Sequence, residues 1–233
     1  MPVYSTDTLA PPEHANDSEC LAECANSKRL YLCKKNLPYL AASEWICHHV
    51  ALACGMTVPN FAAVKVEGRS DFLFGTEWLL GAVGYAVGLP IVKNSHIFSQ
   101  ALALDYTISN ADRHLENYLY IEKDGEVEVT LIDFSRAFLV AGWPLPDLPM
   151  DQMDATVDTI ALWKAHHPFS ASKANEIVTA WINLSPTFIT PLLDGMPPGW
   201  LDETMRSKIA AWWTSPMRMQ RAYDAAYQLN YVK

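Results

Sequence analysis

The sequence predicts an α+β fold in which a small strand-rich part with one helix comes first and a mostly helical part follows. Three observations carry this prediction. Short apolar runs separated by turn residues occupy residues 28–80, Asp124-Gly125 is a strong hairpin signal, and apolar residues recur at helical spacing after Asp147. With 233 residues, the chain is long enough for one domain or for two small lobes that share a core.

The first part begins with a polar, proline-bearing segment, residues 1–18, which we expect to form a loose arm. The apolar run Leu30-Tyr31-Leu32-Cys33 ends in Lys34-Lys35 and predicts a strand. Helical spacing from Leu40 to Cys54, with Pro38 before it and Gly55 after it, predicts a helix. Further predicted elements are extended segments at Thr57–Val66 and Phe72–Leu80 and a helix at Ser95–Tyr106.

The second part combines a hairpin with helices. Residues 118–122 and 127–133 alternate around Asp124-Gly125 and predict its two strands. The predicted helices, separated by Pro-rich breaks at 186–198, are about 151–166, 171–184, 203–213 and 216–230. We therefore divide the chain into a flexible or loosely packed N-terminal arm (1–27), an N-terminal lobe (28–80) and a C-terminal helical lobe (81–233).

Composition excludes several function classes. The chain has 17 Lys+Arg against 26 Asp+Glu, a net charge of −9, which argues against binding nucleic acid by bulk phosphate attraction. The charge-free stretch Trp78–Val92 is too short and too rich in Gly and Pro to span a bilayer. The N-terminus lacks the pattern of a signal peptide. We expect a cytoplasmic protein with no membrane span.

Five cysteines lie in the first quarter of the chain: Cys20, Cys24, Cys33, Cys47 and Cys54. An odd number without a secretory signal predicts reduced thiols. A zinc site built from Cys20, Cys24, Cys47, His48 and Cys54 is an alternative, but the spacing matches no zinc finger or ribbon.

One stretch combines more chemistry than any other part of the sequence. Asn110, Asp112, His114 and Asn117 lie between a predicted helix and the hairpin, and Asp133 ends the second hairpin strand. Because a hairpin returns on itself, Asn117 and Asp133 should be spatial neighbours.

These residue types suit phosphoryl transfer. That reaction needs a carboxylate to orient or deprotonate the acceptor hydroxyl, hard oxygen ligands for Mg²⁺, and a cation to steady the phosphates. Asp112 suits the first role and Asn117 with Asp133 the second. Lys34 suits the third, and Glu44 on the following helix could pair with it.

The pattern Asn110-x-Asp112-x-His114-x-x-Asn117 followed by Ile132-Asp133-Phe134 resembles the HipA-like kinases. Asp112-Arg113-His114-x-x-Asn117 with the later Asp-Phe also resembles the catalytic loop of phosphoinositide lipid kinases. The wider context favours the HipA-like family. That context is Tyr31-Leu32-Cys33-Lys34, Ser43-Glu44, Gly55-Met56-Thr57-Val58-Pro59 and Phe74-Gly75-Thr76-Glu77.

The resemblance implies a protein-kinase-like two-lobe fold that uses ATP and Mg²⁺. It implies Asp112 as the catalytic aspartate and Asn117 and Asp133 as Mg²⁺ ligands. Lys34 would be the phosphate-binding lysine and Glu44 its helix partner. Residues 74–80, with Glu77 among the nucleotide-binding positions, would border the adenine at the hinge between lobes.

Two departures from kinase patterns stand out. No glycine precedes Gly55, so the chain has neither a glycine-rich loop over the phosphates nor a Walker A motif. Ser135 takes the third position of the Asp-Phe-Gly motif, a change that the family tolerates.

Lys35 competes with Lys34 for the phosphate role. We prefer Lys34 because it shares a strand face with Leu30 and Leu32.

Other roles for these residues stay open. Asp112 and Asn117 alone could cap a turn, and Glu44 could be a helix-surface carboxylate. His114 is expected to hold the loop by hydrogen bonds rather than shuttle protons. Arg113 is either a solvated charge or a clamp on a phosphorylated loop.

The sequence thus predicts a HipA-like kinase that transfers a phosphoryl group to a hydroxyl, most simply on Ser or Thr of a protein. The alternatives are a catalytically inactive kinase fold that binds a nucleotide or partner, and a lipid or small-molecule kinase. A regulatory protein partner is also considered.

Overall fold

Five strands of the N-terminal part close into a barrel. The structure, a computed structural model, describes residues 2–12, 17–84, 91–146 and 154–232. The strands are β1 (Val3–Leu9), β2 (Ser18–Cys24), β3 (Leu30–Lys34), β4 (Phe61–Val66) and β5 (Leu73–Glu77). Their order around the barrel is β1-β2-β3-β5-β4, with β1 and β4 parallel and every other pair antiparallel.

Residues 1–27 do not form the expected loose arm, because β1 and β2 lie within them and pair in the barrel. The reason is the size of the inward side chains. Beside the larger Tyr31, Val64 and Leu73, the barrel interior holds the small residues Ala22, Cys24 and Cys33. Small residues at alternate positions bury well in a narrow barrel but give a weak hydrophobic alternation in the sequence.

Close packing in the barrel depends on one glycine. A Cβ atom at Gly75 of β5 would lie 2.7 Å from Val64 Cγ2 and 3.2 Å from Tyr31 Cβ. The three strands approach so closely there that only a hydrogen side chain fits.

Helix α1 (Leu40–Ala53) lies outside the barrel and packs on β5 and on two later helices, α4 and α5, whose ranges are given below. It begins just after Pro38 and ends before Gly55, whose φ of +83° turns the chain out of the helix. The sequence prediction for this helix is confirmed.

The predicted hairpin is confirmed as β6 (Tyr118–Lys123) and β7 (Glu126–Leu131). Asp124 and Gly125 form its two-residue turn, both with positive φ. Helix α2 (Ile97–Ile108) precedes it, and a short 3-10 turn (Leu115–Asn117) leads into β6.

The remaining helices form the C-terminal part. They are α3 (Asp154–Lys164), α4 (Ala171–Asn183), α5 (Ile189–Asp194), α6 (Glu203–Thr214) and α7 (Pro216–Leu229). Four match the predicted helices, and the predicted first residues 151–153 lie outside the described residues. The short helix α5 lies within the Pro-rich segment for which a break was predicted.

Helix α2 is buried at the centre of this part, against α4, α7 and β7. Three tryptophans, Trp163, Trp181 and Trp213, are fully buried in its core, as expected for large aromatic side chains. Each helix of the described residues is too short or too polar to cross a membrane.

Candidate active site

The ammonium group of Lys34 lies between two carboxylates from distant parts of the chain. Lys34 at the end of β3 donates to Asp133 Oδ2 at 2.9 Å and lies 3.5 Å from Glu44 Oε1 of α1. The Lys34 side chain is 8% exposed and that of Glu44 is fully buried. Glu44 is therefore not a helix-surface carboxylate. Of the two candidate lysines, the structure brings Lys34 to this position, whereas Lys35 is exposed.

The attraction between Lys34 and Asp133 favours the charged form of both groups. Burial opposes the charged form of Lys34, but the Glu44 and Asp133 carboxylates outweigh it and raise the pKa of Lys34. Burial likewise opposes ionisation of Asp133. The Lys34 ammonium, with hydrogen bonds from Ser135, overcomes that opposition and holds the pKa of Asp133 well below its usual range.

Glu44 also connects α1 to the Asp-Phe-Ser motif. Its second oxygen, Oε2, accepts from the backbone N–H of Phe134 at 3.1 Å. One turn further along α1, the His48 ring meets the Phe134 ring edge to face, with centroids 4.9 Å apart. The position of α1 and the position of Asp133 are therefore coupled through one carboxylate and one ring contact.

The zinc site considered from the sequence does not form. Cys20 and Cys24 lie on β2, while Cys47 and His48 lie on α1, and all five cysteines are free. Among the described residues no cluster of His, Cys, Asp or Glu is arranged to hold a metal ion by itself.

Arg113 is neither solvated nor available to a phosphorylated loop, which corrects the sequence interpretation. Its side chain is 1% exposed and makes two hydrogen bonds of 3.0 Å to the carboxylate of Asp105 on α2. A third bond, of 2.6 Å, goes to the carbonyl of Ile132, directly before Asp133. Burial opposes the charge of Arg113, but Asp105 outweighs it and raises the pKa of Arg113 further. Arg113 thus fixes the loop to both α2 and the end of β7.

Asn117 and Asp133 are neighbours, as the hairpin predicts. The Ile132 N–H donates to the Asn117 carbonyl at 3.1 Å, which joins the start of β6 to the residue before Asp133. The Asn117 side-chain nitrogen donates to the Asp112 carbonyl at 3.0 Å. Its amide oxygen is then the atom that remains to meet a cation.

These residues line a cavity of about 630 Å³ between the barrel and the hairpin. Its apolar wall includes Leu32, Val83 and Ile132. The complete lining is Pro12, Asp17, Ser18, Leu32, Lys34, Thr76, Trp78, Val83, Gly84, Asp112, His114, Glu116, Asn117, Ile132, Asp133, Ser135 and Arg136. Four of the predicted site residues therefore meet at one cavity, with Glu44 buried behind Lys34.

Glu77 is the predicted site residue whose side chain is engaged elsewhere. Its carboxylate accepts hydrogen bonds from Asn60 and from Arg29, the latter at 3.3 Å. Its neighbours Thr76 and Trp78 line the cavity instead. Alternation along β5 explains this, since residues on either side of Glu77 face the opposite way.

His114 contributes to the loop through its backbone. Its carbonyl accepts from the Asn117 N–H at 3.0 Å, which closes the short 3-10 turn. Its side chain lines the cavity beside Asp112.

Asp17 and Arg136 line the cavity although the sequence did not single them out. Asp17, just before β2, accepts from Ser135 Oγ at 3.3 Å and lies 3.4 Å from Arg136 Nη2. Arg136 Nε in turn lies 4.0 Å from Asp112 Oδ2. The position of Arg136, three residues after Asp133, was a usable signal. No sequence signal pointed to Asp17, because its position depends on the pairing of β2, which the hydrophobic pattern does not predict.

The fold, a closed five-stranded barrel beside a helical part, is similar to kinase-like folds of the HipA type. The structure is similar to that of the Helicobacter pylori proinflammatory kinase CtkA, with a TM-score of 0.59 and 11% identity over 99% of each chain.

It is also similar to HipA of a Shewanella oneidensis MR-1 toxin–antitoxin system, solved with HipB and its operator DNA. The TM-score is 0.51 and the identity 13%, over 97% of this chain and 64% of the HipA chain. No known family model and no curated protein matches the sequence. The resemblance to HipA-like kinases is confirmed in the fold.

Proposed function

We propose that this chain is an ATP- and Mg²⁺-dependent kinase that phosphorylates a Ser or Thr hydroxyl of a protein. In this proposal the barrel with α1 is the N-terminal lobe and the helical part is the C-terminal lobe. The observation that carries it is the single cavity that brings Lys34, Asp112, Asn117 and Asp133 together.

The donor set fits a hard divalent cation. Asp133 supplies a carboxylate and Asn117 an amide oxygen, which are ligand types that Mg²⁺ accepts together with phosphate oxygens and water. Two protein ligands are usual for Mg²⁺ held partly by a nucleotide, so the described residues need not form a complete cage. When bound, the ion would neutralise charge on the phosphates.

The rest of the cavity fits a nucleotide. Its volume of about 630 Å³ lies within the usual range of small-molecule sites, roughly 300–1,000 Å³. Leu32 and Ile132 offer apolar surface for a base, with Val83 and Trp78 at the edge. Lys34, on the same strand face as Leu32, would hold the phosphates further in.

Asp112 would meet the acceptor in this proposal. Its side chain is 49% exposed, so a hydroxyl on a large molecule can approach it. The acceptor oxygen would attack the γ-phosphorus, the bond from that phosphorus to the β–γ bridging oxygen would break, and ADP would leave. Asp112 would orient the hydroxyl and accept its proton. The exposure of Asp112 is what supports a protein acceptor.

The test is phosphate transfer from labelled ATP, with mass spectrometry of the chain after incubation with ATP and Mg²⁺. Asp112→Asn should abolish transfer and leave the melting temperature unchanged. Asp124→Asn is the matched control, because Asp124 lies in the hairpin turn with positive φ, which Asn tolerates. It should transfer phosphate like the unaltered chain.

Transfer that survives in Asp112→Asn would contradict the assignment of Asp112. Binding of ATP with Mg²⁺, measured by thermal shift, without transfer to any acceptor would instead identify a nucleotide-binding kinase fold without turnover.

A further inference from the structure

Arg136 lies at the mouth of the cavity between two carboxylates. Its guanidinium is 3.4 Å from Asp17 Oδ2 and 4.0 Å from Asp112 Oδ2, and its side chain is 51% exposed. Both partners also line the cavity. Lys34 is buried against Glu44 and Asp133, whereas the half-exposed Arg136 is accessible to a ligand and can exchange its partners for it.

The cavity has an excess of negative charge, so a bound nucleoside triphosphate would need an accessible cation such as Arg136. Among its described lining residues, Lys34 and Arg136 are the Lys and Arg side chains, against the four carboxylates of Asp17, Asp112, Glu116 and Asp133. The ammonium of Lys34 already faces two carboxylates. A nucleoside triphosphate would add further negative charge to this site.

The sequence also lacks the glycine-rich loop that usually covers the phosphates. Glycine-rich loops bind phosphates with backbone N–H groups, but no glycine precedes Gly55 in this chain. Asp17, directly before β2, lines the cavity. A carboxylate there repels phosphate unless a cation stands between them, and the cation in contact with Asp17 is Arg136.

The position of Arg136 selects one phosphate. In phosphoryl transfer the terminal phosphate lies next to the residue that orients the acceptor. Arg136 is within 4.0 Å of that residue, Asp112, whereas Lys34 lies deeper beside Asp133. A planar guanidinium with several N–H donors is well suited to a phosphate in this place.

We propose that Arg136 binds the terminal phosphate of the nucleotide, exchanging its contact with Asp17 for the phosphate oxygens. This inference rests on the proposed function and adds the residue that distinguishes a nucleoside triphosphate from a diphosphate. Arg136 thereby takes over part of the role of the missing glycine-rich loop.

The experiment is calorimetric titration of the full chain with ATP and, separately, with ADP, each in the presence of Mg²⁺. Arg136→Gln should weaken ATP binding by about tenfold or more, as expected for the loss of a charge-assisted hydrogen bond. It should change ADP binding by less than about twofold, because ADP lacks the phosphate that Arg136 meets. Arg136→Lys, which keeps the charge, should retain part of the preference for ATP.

Lys93→Gln is the matched control. Lys93 is 55% exposed and bridges Glu126 and Glu128, so it resembles Arg136 in exposure and partners but lies outside the cavity lining. Its ratio of ATP to ADP affinity should equal that of the unaltered chain.

The outcomes separate this inference from the proposed function. If Arg136→Gln keeps the ratio of ATP to ADP affinity, or weakens both nucleotides equally, the role of Arg136 is wrong and the proposed function stands. If the unaltered chain binds neither nucleotide, both are overturned.

Discussion

Lys34 and Asp133 are ninety-nine residues apart in the chain, yet the Lys34 ammonium donates to the Asp133 carboxylate at 2.9 Å. The contact joins the last residue of β3 to the Asp-Phe-Ser motif. Glu44 lies on the other side of the ammonium and also accepts from Phe134. One buried cation therefore connects the barrel, α1 and the end of the hairpin.

Removing that cation should destabilise the fold. Lys34→Met leaves the fully buried Glu44 carboxylate without its counter-charge, at a cost of about 3–5 kcal/mol in the free energy of unfolding. Urea denaturation measures the change. The double variant Lys34→Met with Glu44→Gln should recover part of the loss, because it removes the stranded charge as well.

Lys173→Met is the control for this comparison. Lys173 pairs with Glu176 on the surface of α4, and surface pairs contribute less than about 1 kcal/mol. Equal stability of the Lys34→Met and Lys173→Met proteins would contradict the structural role of Lys34.

Asp133 should make stability depend on pH in the acid range. Its pKa in the folded protein is lower than in the unfolded chain, where aspartate titrates near about 3.9. Its contribution is then complete above about pH 4 and is lost as the pH falls toward the folded pKa. The stability advantage of the unaltered chain over Asp133→Asn, measured by denaturation at several pH values, should be constant above that pH and shrink below it. An advantage that grows on acidification would contradict the assigned direction.

Arg113 should be important for stability although it lies within the loop that carries the candidate site residues Asp112 and Asn117. Arg113→Met strands the buried Asp105 carboxylate and frees the Ile132 carbonyl, which should cost about 3–5 kcal/mol. Arg113→Lys keeps the charge but cannot make the paired hydrogen bonds of a guanidinium. Its free energy of unfolding should therefore lie between those of Arg113→Met and the unaltered chain. Chemical denaturation of the three proteins checks the order. Arg113→Met as stable as the unaltered chain would show that the loop does not depend on this contact.

Gly75 should tolerate no side chain. Gly75→Ala would place its Cβ 2.7 Å from Val64 Cγ2, and the resulting overpacking should cost about 1–3 kcal/mol. Adding Val64→Ala removes the clashing atom and should recover part of that cost, measured by thermal or urea unfolding. The control is Gly84→Ala, since no atom of the described residues lies within 4 Å of its added Cβ. Similar stabilities for the two alanine variants would contradict the close packing of β4 and β5.

Glu77 should contribute little to nucleotide binding through its carboxylate, which accepts from Asn60 and Arg29. In calorimetric titration with ATP and Mg²⁺, Glu77→Gln should stay within about twofold of the unaltered chain. Lys34→Arg, measured in parallel, should bind more weakly, because a guanidinium cannot occupy the same buried position. A large loss of affinity in Glu77→Gln would return its side chain to the nucleotide site.

Local patterns explain which parts of the fold were predictable. The hairpin could be derived because Asp124-Gly125 specifies its turn and thereby places Asn117 next to Asp133. Helix α1 could be derived from its spacing and its Pro and Gly boundaries. Strands β1 and β2 could not, because their buried positions hold small or polar residues such as Ser5 and Ala22. Those side chains carry little hydrophobic signal until the barrel closes around them.

By itself the sequence determined the candidate site residues, since Asp112, Asn117 and Asp133 lie in one stretch whose spacing a loop and a hairpin dictate. Only the tertiary structure decided which charged groups meet there. It buried Arg113 against Asp105, turned the Glu77 carboxylate toward Asn60, and brought Asp17 to Arg136. The physical reason is that burial and charge pairing depend on contacts between elements far apart in the chain, which no local spacing encodes.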